Sequence, residues 1–380
     1  MLLFFVFLSV LVSALTDWYI FAVYCRPLPR KRTHCLCWLP TFLTLLFSLL
    51  LVCGEHETMG TVSILLLCVT VPKTVFAVFL LVLRIFPVFR RNMSVTGCVA
   101  GAAGLFVLGS TVYGATEGIR HFEVNDVEIY FASLPESFDG YRIVQISDIH
   151  SGSWNKDGGA LREAVSIING LDADIVLFTG DIVNSTASEL LRTMGILGNI
   201  RARDGVYSVL GNHDYGTYAE WDSPEDEAAN LDSLLAREAA MGWRLLDNEH
   251  VILHRWTDSI ALVGVQNSGE SPFPDYADLK RAMAGTEGMF TVLMSHDPTH
   301  WRREVLPDTD IELTLSGHTH DMQFSILGYS PASHIYPEHN GLYREGGQAL
   351  YVNAGLGYLL PIRLGAWPEI TLITLRRSGD

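Results

Sequence analysis

Charged residues are scarce in this 380-residue chain: Asp, Glu, Lys and Arg together make up 18% of it, whereas 49% is hydrophobic. Soluble domains carry nearer about 25% charge, so the average composition excludes an ordinary soluble protein. Low-complexity tracts are also lacking, and the high apolar content excludes a disordered chain. The length predicts two or three structural units.

Cysteine and basic residues are depleted in the larger part of the chain. All six cysteines lie within residues 1–119, so residues 120–380 can form no disulfide, thiolate nucleophile or zinc–cysteine site. Residues 120–380 hold 18 Lys and Arg against 38 Asp and Glu, a formal net charge of −20, whereas residues 1–119 hold 8 and 4. Such an acidic part binds nucleic acid phosphates poorly, so we expect no long nucleic acid as a partner.

Long apolar runs in residues 1–115 predict membrane-spanning helices. Each has about the 18 to 20 residues that cross roughly 30 Å of hydrocarbon; they are Leu2–Phe21, Cys35–Val52, Thr61–Leu83 and Val95–Tyr113. A buried helical core, or a cleaved signal peptide for the first run, is the alternative, but four such runs in succession are unusual in a soluble fold. The third run is the weakest span because Pro72 and Lys73 interrupt it; the helix could be kinked there, or Lys73 could pair with Asp17.

The charges between these runs alternate in sign. The loops are basic, acidic and basic in turn, with Arg26, Arg30, Lys31 and Arg32, then Glu55 and Glu57, then Arg84, Arg90 and Arg91. Because basic loops remain in the cytoplasm, we expect a multi-pass protein of the cell membrane with both termini, and residues 116–380, on the extracytoplasmic side.

From about residue 124 onward, short strand-like runs alternate with helix-like stretches such as Gly158–Asn169. The runs end in polar clusters; they are Tyr141–Ser147, Asp174–Thr179, Gly205–Leu210, Thr291–Ser295 and Ile311–Ser316. The alternation predicts an α/β domain with a buried central sheet, in which ligands bind at the carboxyl ends of the strands. Residues 326–350, rich in Gly, Pro, Tyr and His, read as one long functional loop.

The polar residues at these strand ends are of metal-ligating types. They provide carboxylates, an amide and imidazoles but no sulfur, in the segments SDIH, TGDIVN, GNHD, SHDP and GHTH: Asp148, His150, Asp181, Asn212, His213, His296, His318 and His320. Such donors suit Mn, Fe, Zn or Co, and a shared carboxylate can hold two ions about 3.5–4 Å apart. Any single one could be a helix cap or a turn residue, but five strand ends finishing in such residues favour a metal centre.

The ordered series D-x-H, G-D-x-x-N, G-N-H-D, H and G-H-T-H resembles the calcineurin-like metallophosphoesterase family over roughly residues 124–380. The apolar N-terminal part looks like the membrane-anchored bacterial branch of that family, which includes phosphodiesterases and nucleotide-sugar-lipid pyrophosphatases. The resemblance implies an α/β two-sheet sandwich flanked by helices at 116–380, preceded by an all-α membrane region of about four transmembrane helices at 1–115.

The resemblance also implies a role for each site residue. Two divalent ions are expected, the first held by Asp148, His150 and His320, the second by Asn212, His296 and His318, with Asp181 bridging both. His213 would act near the leaving group as general acid or transition-state stabiliser, oriented by Asp214. Asn184 stands where many relatives have Asp, outside the expected ligand set. Arg363 either pairs with a substrate phosphate or is a surface residue, and the turn at residues 353–357 either passes close to the site or is only a turn.

These features together predict a membrane-anchored hydrolase of phosphate esters. We expect a dinuclear centre that cleaves a phosphodiester or pyrophosphate bond with metal-bound hydroxide, and anchoring favours a lipid-linked substrate such as an envelope lipid or a nucleotide-sugar lipid. The alternatives are a metal-binding sensory or interaction module without turnover, and a phosphatase or nuclease acting on soluble nucleotides.

Overall fold

The computed structural model describes residues 2–25, 36–53, 56–154 and 157–378, which form two compact units. The first unit comprises the chain up to Gly118 together with Leu360–Leu364, and the second comprises Ile119–Leu359 and the chain from Gly365 onward. Nothing in the sequence predicted that Leu360–Leu364 would group with the N-terminal helices.

The first unit is helical. Its helices are α1 (Leu2–Ile20), α2 (Leu39–Cys53), α3 (His56–Leu83), α4 (Pro87–Arg91) and α5 (Met93–Thr116). Among the described residues, three segments are long and apolar enough to cross a membrane, namely Val6–Tyr24, Met59–Leu83 and Met93–Arg120, whereas α2 has only 15 residues. The run predicted to start at Cys35 begins outside the described residues. The charged residues at 26–32 and Glu55, on which the predicted orientation depends, also lie outside them.

The third predicted span is one continuous helix, because α3 runs through Pro72. The Lys73 Nζ atom lies 3.1 Å from Asp17 Oδ1, and Thr41 donates to Asp17 Oδ2 through its backbone N–H (2.8 Å) and its hydroxyl (2.6 Å). Of the two possibilities raised by the sequence, the structure contains the ion pair. A Cβ atom at Gly104 of α5 would lie 3.0 Å from the Pro72 carbonyl oxygen, so α5 and α3 meet at the small residue typical of transmembrane contacts.

The second unit contains two six-stranded sheets. The first sheet has the order β1-β12-β2-β3-β4-β5, with β1 (Glu123–Phe131), β2 (Arg142–Ile146), β3 (Ile175–Phe178), β4 (Val206–Ser208), β5 (Arg244–Leu245) and β12 (Glu369–Arg377). The second has the order β10-β11-β9-β8-β7-β6, with β6 (Glu249–Arg255), β7 (Asp258–Gly264), β8 (Thr291–Met294), β9 (Leu313–Ser316), β10 (Gly341–Glu345) and β11 (Gln348–Val352). Strands β2 to β5 are mutually parallel, as are β7, β8, β9 and β11.

The sheets pack face to face and helices cover their outer faces. Alternate strand residues such as Ile143, Leu177, Leu262 and Leu313 meet between the sheets, as the two-residue period of a strand requires. The outer face of the first sheet packs on helices; the α-helices of this unit are α6 (Gly159–Gly170), α7 (Leu190–Leu197), α8 (Pro224–Ala240), α9 (Leu279–Met283) and α10 (Leu306–Asp308). This is the sandwich expected from the sequence, and it gathers the carboxyl ends of the parallel strands at one edge of each sheet.

The strand boundaries follow the sequence closely, with one correction. Each predicted apolar run contains its strand, and the predicted helix at Gly158–Asn169 is α6 within one residue. Residues 326–350 are not one long loop, because β10 and β11 form an antiparallel hairpin that takes up residues 341–352. Strand β10 could not be predicted from the sequence, because the residues of β10 (GLYRE) are largely polar or exposed and lie between glycines.

Candidate metal centre

The predicted ligands follow the ends of β2, β3, β4, β8 and β9, in sharp turns. Five of them have a left-handed backbone: φ is 52° at Asp148, 48° at His150, 63° at Asp181, 73° at His318 and 51° at His320. Each costs about 1 kcal/mol for a residue with a Cβ atom, so the surrounding structure must hold these turns. Backbone hydrogen bonds do so, since Asp148 N donates to Gly180 O (2.8 Å) and His150 N donates to Asp181 O (3.1 Å).

One group of ligand atoms is formed by Asp148, His150 and His320, which are all buried. The His320 Nε2 atom lies 3.2 Å from Asp148 Oδ1, and the Nε2 atoms of His150 and His320 are 2.9 Å apart. One donor atom from each residue lies within 4.8 Å of the other two. Two imidazole nitrogens that face each other beside a carboxylate are suited to share one cation.

A second group is formed by Asp181, His296 and His318, at the same spacing. His296 Nε2 lies 3.2 Å from Asp181 Oδ2 and 3.3 Å from His318 Nδ1. The same Asp181 Oδ2 is 3.9 Å from His150 Nε2 of the first group. Asp181 therefore lies between the two groups, in the position that a bridging carboxylate requires.

Asn212 supplies an oxygen with no other use among the described residues. Its amide nitrogen donates to the Tyr218 hydroxyl (2.8 Å), whereas its Oδ1 atom is buried and accepts no hydrogen bond from the described part of the chain. The adjacent His213 N–H donates to Asp181 Oδ1 (2.8 Å), which keeps this segment beside the second group. A buried carbonyl oxygen without a donor is costly unless a cation or water satisfies it, so the arrangement fits a metal ligand.

Contacts behind the imidazoles fix the ring nitrogen that faces the site. His150 Nδ1 lies 3.2 Å from Val183 O and His296 Nδ1 lies 2.7 Å from Thr179 O. A carbonyl requires a proton on the contacting nitrogen, so in both rings Nε2 is the atom that can offer a lone pair to a cation. His318 is reversed: its Nε2 atom contacts the Tyr336 hydroxyl at 3.1 Å and its Nδ1 atom faces the site.

The ionised carboxylates of the site favour the binding of positive charge between the candidate ligands. Burial raises the pKa values of Asp148 and Asp181, but His320 beside the former and His296 beside the latter outweigh it and hold both below their usual range. Burial, with His213 and His320 nearby, lowers the pKa of His150 and keeps that ring neutral. At His296 burial acts in the same direction, but the Asp181 carboxylate is stronger and raises the pKa to about 10. The ionised carboxylates therefore hold a proton on His296 when no ion is bound, and a divalent cation would displace that proton and take its place.

His213 and Asp214 have different hydrogen-bond partners in the structure, and the expected orienting role of Asp214 remains a prediction. The Asp214 carboxylate accepts four backbone N–H groups, from Ile182 (2.8 Å) and Val183 (3.3 Å) at Oδ1 and from Asp181 (2.9 Å) and Gly211 (2.8 Å) at Oδ2. The His213 ring instead directs Nδ1 at the Asn184 carbonyl (2.6 Å). Asp214 thus holds the turn that carries Asp181, and Asn184 orients His213.

The His213 ring stands beside the ligands, half-buried, with its Nε2 atom available. It packs edge-on against His150, with centroids 4.9 Å apart, and stacks on the Tyr218 ring at 4.3 Å. Sequence reasoning missed Tyr218 and Tyr336, because a Tyr in a loop carries no periodic or motif signal. It also missed Phe273, whose ring meets His318 edge-on at 4.9 Å.

The turn at residues 353–357 lies beside the candidate metal centre, whereas Arg363 belongs to the helical unit. The turn at residues 353–357 runs beside the first group, because Leu356 N donates to Ser147 O (2.8 Å) and Gly357 N donates to Asp148 O (2.8 Å). Arg363 is fully buried in the Leu360–Leu364 segment of the helical unit, where its backbone N–H donates to Gly114 O (3.1 Å). It is therefore no surface residue, and a contact with substrate remains a prediction.

Two parts of the chain match known protein families. Residues 141–322 match the family described as calcineurin-like phosphoesterase, and residues 2–119 match a probable calcineurin-like phosphoesterase transmembrane domain. The chain is 33% identical over 280 residues to a zebrafish (Danio rerio) transmembrane protein with metallophosphoesterase domain, covering 70% of this chain and 60% of that protein. It is 30% identical over 305 residues to the uncharacterized metallophosphoesterase YkuE of Bacillus subtilis, covering 76% of this chain and all of YkuE.

A further relative has a named substrate. The UDP-2,3-diacylglucosamine pyrophosphatase LpxG of Chlamydia trachomatis is 27% identical over 298 residues, which covers 63% of this chain and 86% of that enzyme. The chain spans about 60% of the length of the zebrafish relative.

Proposed function

Since the chain belongs to the calcineurin-like metallophosphoesterase family and carries a transmembrane domain, we propose that this metal-dependent hydrolase cleaves a phosphodiester or pyrophosphate bond in a lipid-linked substrate on the extracytoplasmic face of its membrane. The observation that carries the proposal is Asp181, whose carboxylate lies between two groups of buried ligand atoms. A single-metal binding module has no need of a shared carboxylate in this position.

The ligands fit two divalent ions of the Mn, Fe, Zn or Co type, because they are nitrogen and oxygen donors without sulfur. Asp148, His150 and His320 would hold one ion and Asn212, His296 and His318 the other, with Asp181 between them. When bound, such ions neutralise phosphate charge and make water acidic enough to serve as nucleophile near neutral pH.

His213 supports a separate task, the protonation of the leaving oxygen. Its Nδ1 atom is directed at the Asn184 carbonyl (2.6 Å), which fixes the ring and leaves Nε2 as the atom that can hold and transfer a proton. The ring is only partly buried, whereas the ligand side chains Asp148, His150 and His296 are fully buried. His213 and His318 are therefore the two partly exposed histidines of this cluster, and of these His213 is the one outside the expected ligand set.

The lipid-linked substrate class is supported by anchoring and by one relative. A membrane-bound enzyme and a membrane-bound substrate share a surface, and LpxG is named for a pyrophosphatase reaction on a diacylated nucleotide sugar. The net charge of −20 over residues 120–380 disfavours long nucleic acids as the alternative diester.

Turnover by the purified full-length protein with added Mn²⁺ tests this proposal. We expect wild-type protein to hydrolyse a diacylated nucleotide-sugar pyrophosphate in mixed micelles faster than a soluble chromogenic diester, and the diester faster than a monoester. His213→Ala should lose about 10²–10⁴-fold in turnover while retaining its metal. Asp232→Asn, an exposed acid on α8, is the control and should behave as wild type.

Two results would contradict the proposal. Equal turnover by wild type and His213→Ala would remove His213 from the reaction. A background rate on every phosphate ester, despite bound metal, would indicate a binding module without turnover.

A further inference from the structure

Residues 322–335, here called the apolar loop, expose an unusual set of large hydrophobic side chains. The loop starts two residues after the ligand His320, and its exposed members are Met322, Phe324, Ile326, Leu327, Tyr329 and Ile335. Leu327 is fully exposed, with a relative accessibility of 103%. Scattered exposed apolar residues are ordinary, but six within fourteen consecutive residues mark an interaction surface.

Hydrogen bonds give the apolar loop a defined hairpin turn at its tip. Ile326 and Tyr329 exchange two backbone hydrogen bonds (2.9 and 3.0 Å) around Leu327 and Gly328, whose φ angles are 52° and 79°. Two left-handed residues make a tight hairpin turn that normally takes Asn-Gly, and a Leu there is conformationally unfavourable. The Ser330 hydroxyl donates to Asp321 O (2.8 Å) and fastens the loop beside His320. The fold thus holds a Leu side chain outward at a position that local preference would give to a polar residue.

Charge distinguishes the apolar loop from the rest of its unit. Residues 322–337 contain no Asp, Glu, Lys or Arg, whereas residues 120–380 as a whole carry a formal net charge of −20. A protein partner that recognised this acidic part would be expected to use its charges. Leucine, isoleucine and phenylalanine accompanied by tyrosine, without ionised groups, form the composition that enters the interface of a bilayer.

Chain connectivity relates the apolar loop to the membrane-spanning part. Leu359 N donates to Gln323 Oε1 (2.9 Å), and a side chain at Gly365 would collide with Ser325 O. Leu359 and Gly365 are the residues bonded to either end of Leu360–Leu364, the segment that groups with the helices. Within that helical unit, Arg363 N donates to Gly114 O in the last turn of α5. The residues that hold the loop are therefore covalently continuous with a segment at the end of a membrane span.

We propose that the apolar loop inserts into the lipid surface of the membrane that the chain's own helices span. Leu327 leads the insertion, with Ile326 and Tyr329 beside it at the interface. The occupant of this surface is the bilayer. This inference goes beyond the proposed function and does not depend on it, because it requires only the exposed loop and the membrane helices.

Site-specific photocrosslinking in proteoliposomes tests the insertion. The full-length protein would carry a diazirine analogue of leucine at position 327, and the products would be separated into lipid and protein adducts by mass spectrometry. Trp256 provides a matched control position, because it too is at the tip of a β-hairpin, with φ of 54° and 91% exposure. We expect about tenfold more lipid adduct at 327 than at 256, the ratio that corresponds to removing one leucine from water.

A second variant tests whether lipid labelling depends on the Leu327 side chain or on the probe itself. Leu327→Asn suits the left-handed turn, so the hairpin is retained while its apolar tip is lost. With the probe at Ile335, this substitution should reduce lipid adducts toward the level found at Trp256. Three results would each overturn the proposal. They are equal lipid labelling at positions 327 and 256, lipid labelling at position 335 that is unchanged by Leu327→Asn, and adducts at position 327 with a protein chain in place of lipid.

Discussion

Replacing Asp214 by Asn separates the role found in the structure from the role expected from the motif. The Asp214 carboxylate is buried and accepts two backbone N–H groups on each oxygen. Asn has the same shape but only one acceptor oxygen, so two buried N–H groups lose their acceptor and face an amide NH₂. Each unpaired buried donor costs about 1–3 kcal/mol, so we expect Asp214→Asn to lower the free energy of unfolding by about 4 kcal/mol.

Thermal unfolding of the detergent-solubilised protein, followed by tryptophan fluorescence, measures this loss. For a unit of this size about 4 kcal/mol corresponds to a fall in Tm of roughly 8–16 °C. Asp232→Asn on the exposed face of α8 makes the same chemical change without these contacts and should leave Tm unchanged within about 2 °C. If Asp214→Asn melted like the Asp232 control and lost only turnover, Asp214 would act through His213 after all, and the structural role assigned to it would be wrong.

Three other outcomes follow from the structure. Tyr336→Phe removes the hydroxyl behind the His318 ring and should weaken metal binding about 10–100-fold, seen in a metal titration, while turnover at saturating metal stays near wild type. Burial raises the pKa of Glu238 from 4.5 to about 7. The protonated Glu238 side chain therefore contributes stability that is fully present below pH 4.5 and is lost as the pH rises to 7, by about 3 kcal/mol in total. Glu238→Gln should abolish this pH dependence in a series of Tm values, and an unchanged pH dependence would contradict the assignment. Lys73→Met strands the Asp17 carboxylate between helices and should cost about 3–5 kcal/mol in a detergent melt, most of it recovered by the Asp17→Leu/Lys73→Met double variant; additive losses would refute the pair.

The predicted orientation needs its own measurement, because the charges that define it fall largely outside the described residues. A green fluorescent protein fused to the C-terminus should stay dark and an alkaline phosphatase fusion should be active, since the former folds only in the cytoplasm and the latter only outside it. The reverse pattern would place the catalytic unit in the cytoplasm.

The fold and the positions of the candidate ligands could largely be predicted from the sequence, because both depend on local patterns. A buried strand such as β3 is a run of apolar residues, and Asp181 lies three residues after its end, so the strand end and the candidate ligand are marked together. Parallel neighbours then bring Asp148 and Asp181 to the same edge of the sheet. The glycine before Asp181, with φ of 98°, is a further local mark of the turn.

What the sequence could not provide depends on contacts between distant segments. The family resemblance implied that Asp214 orients His213, yet the two side chains have different hydrogen-bond partners in the structure. Tyr336 lies 18 residues from His318, and no pattern links them. The grouping of Leu360–Leu364 with the helices and the exposed tip at Leu327 likewise arise from tertiary packing.

Elemental analysis of the purified full-length protein measures whether Asp181 joins two cation sites. We expect two divalent ions per chain in the wild type, a loss of both in Asp181→Ala, and two in His213→Ala. A wild-type protein with one ion, or an Asp181→Ala variant that retains two, would contradict this expectation.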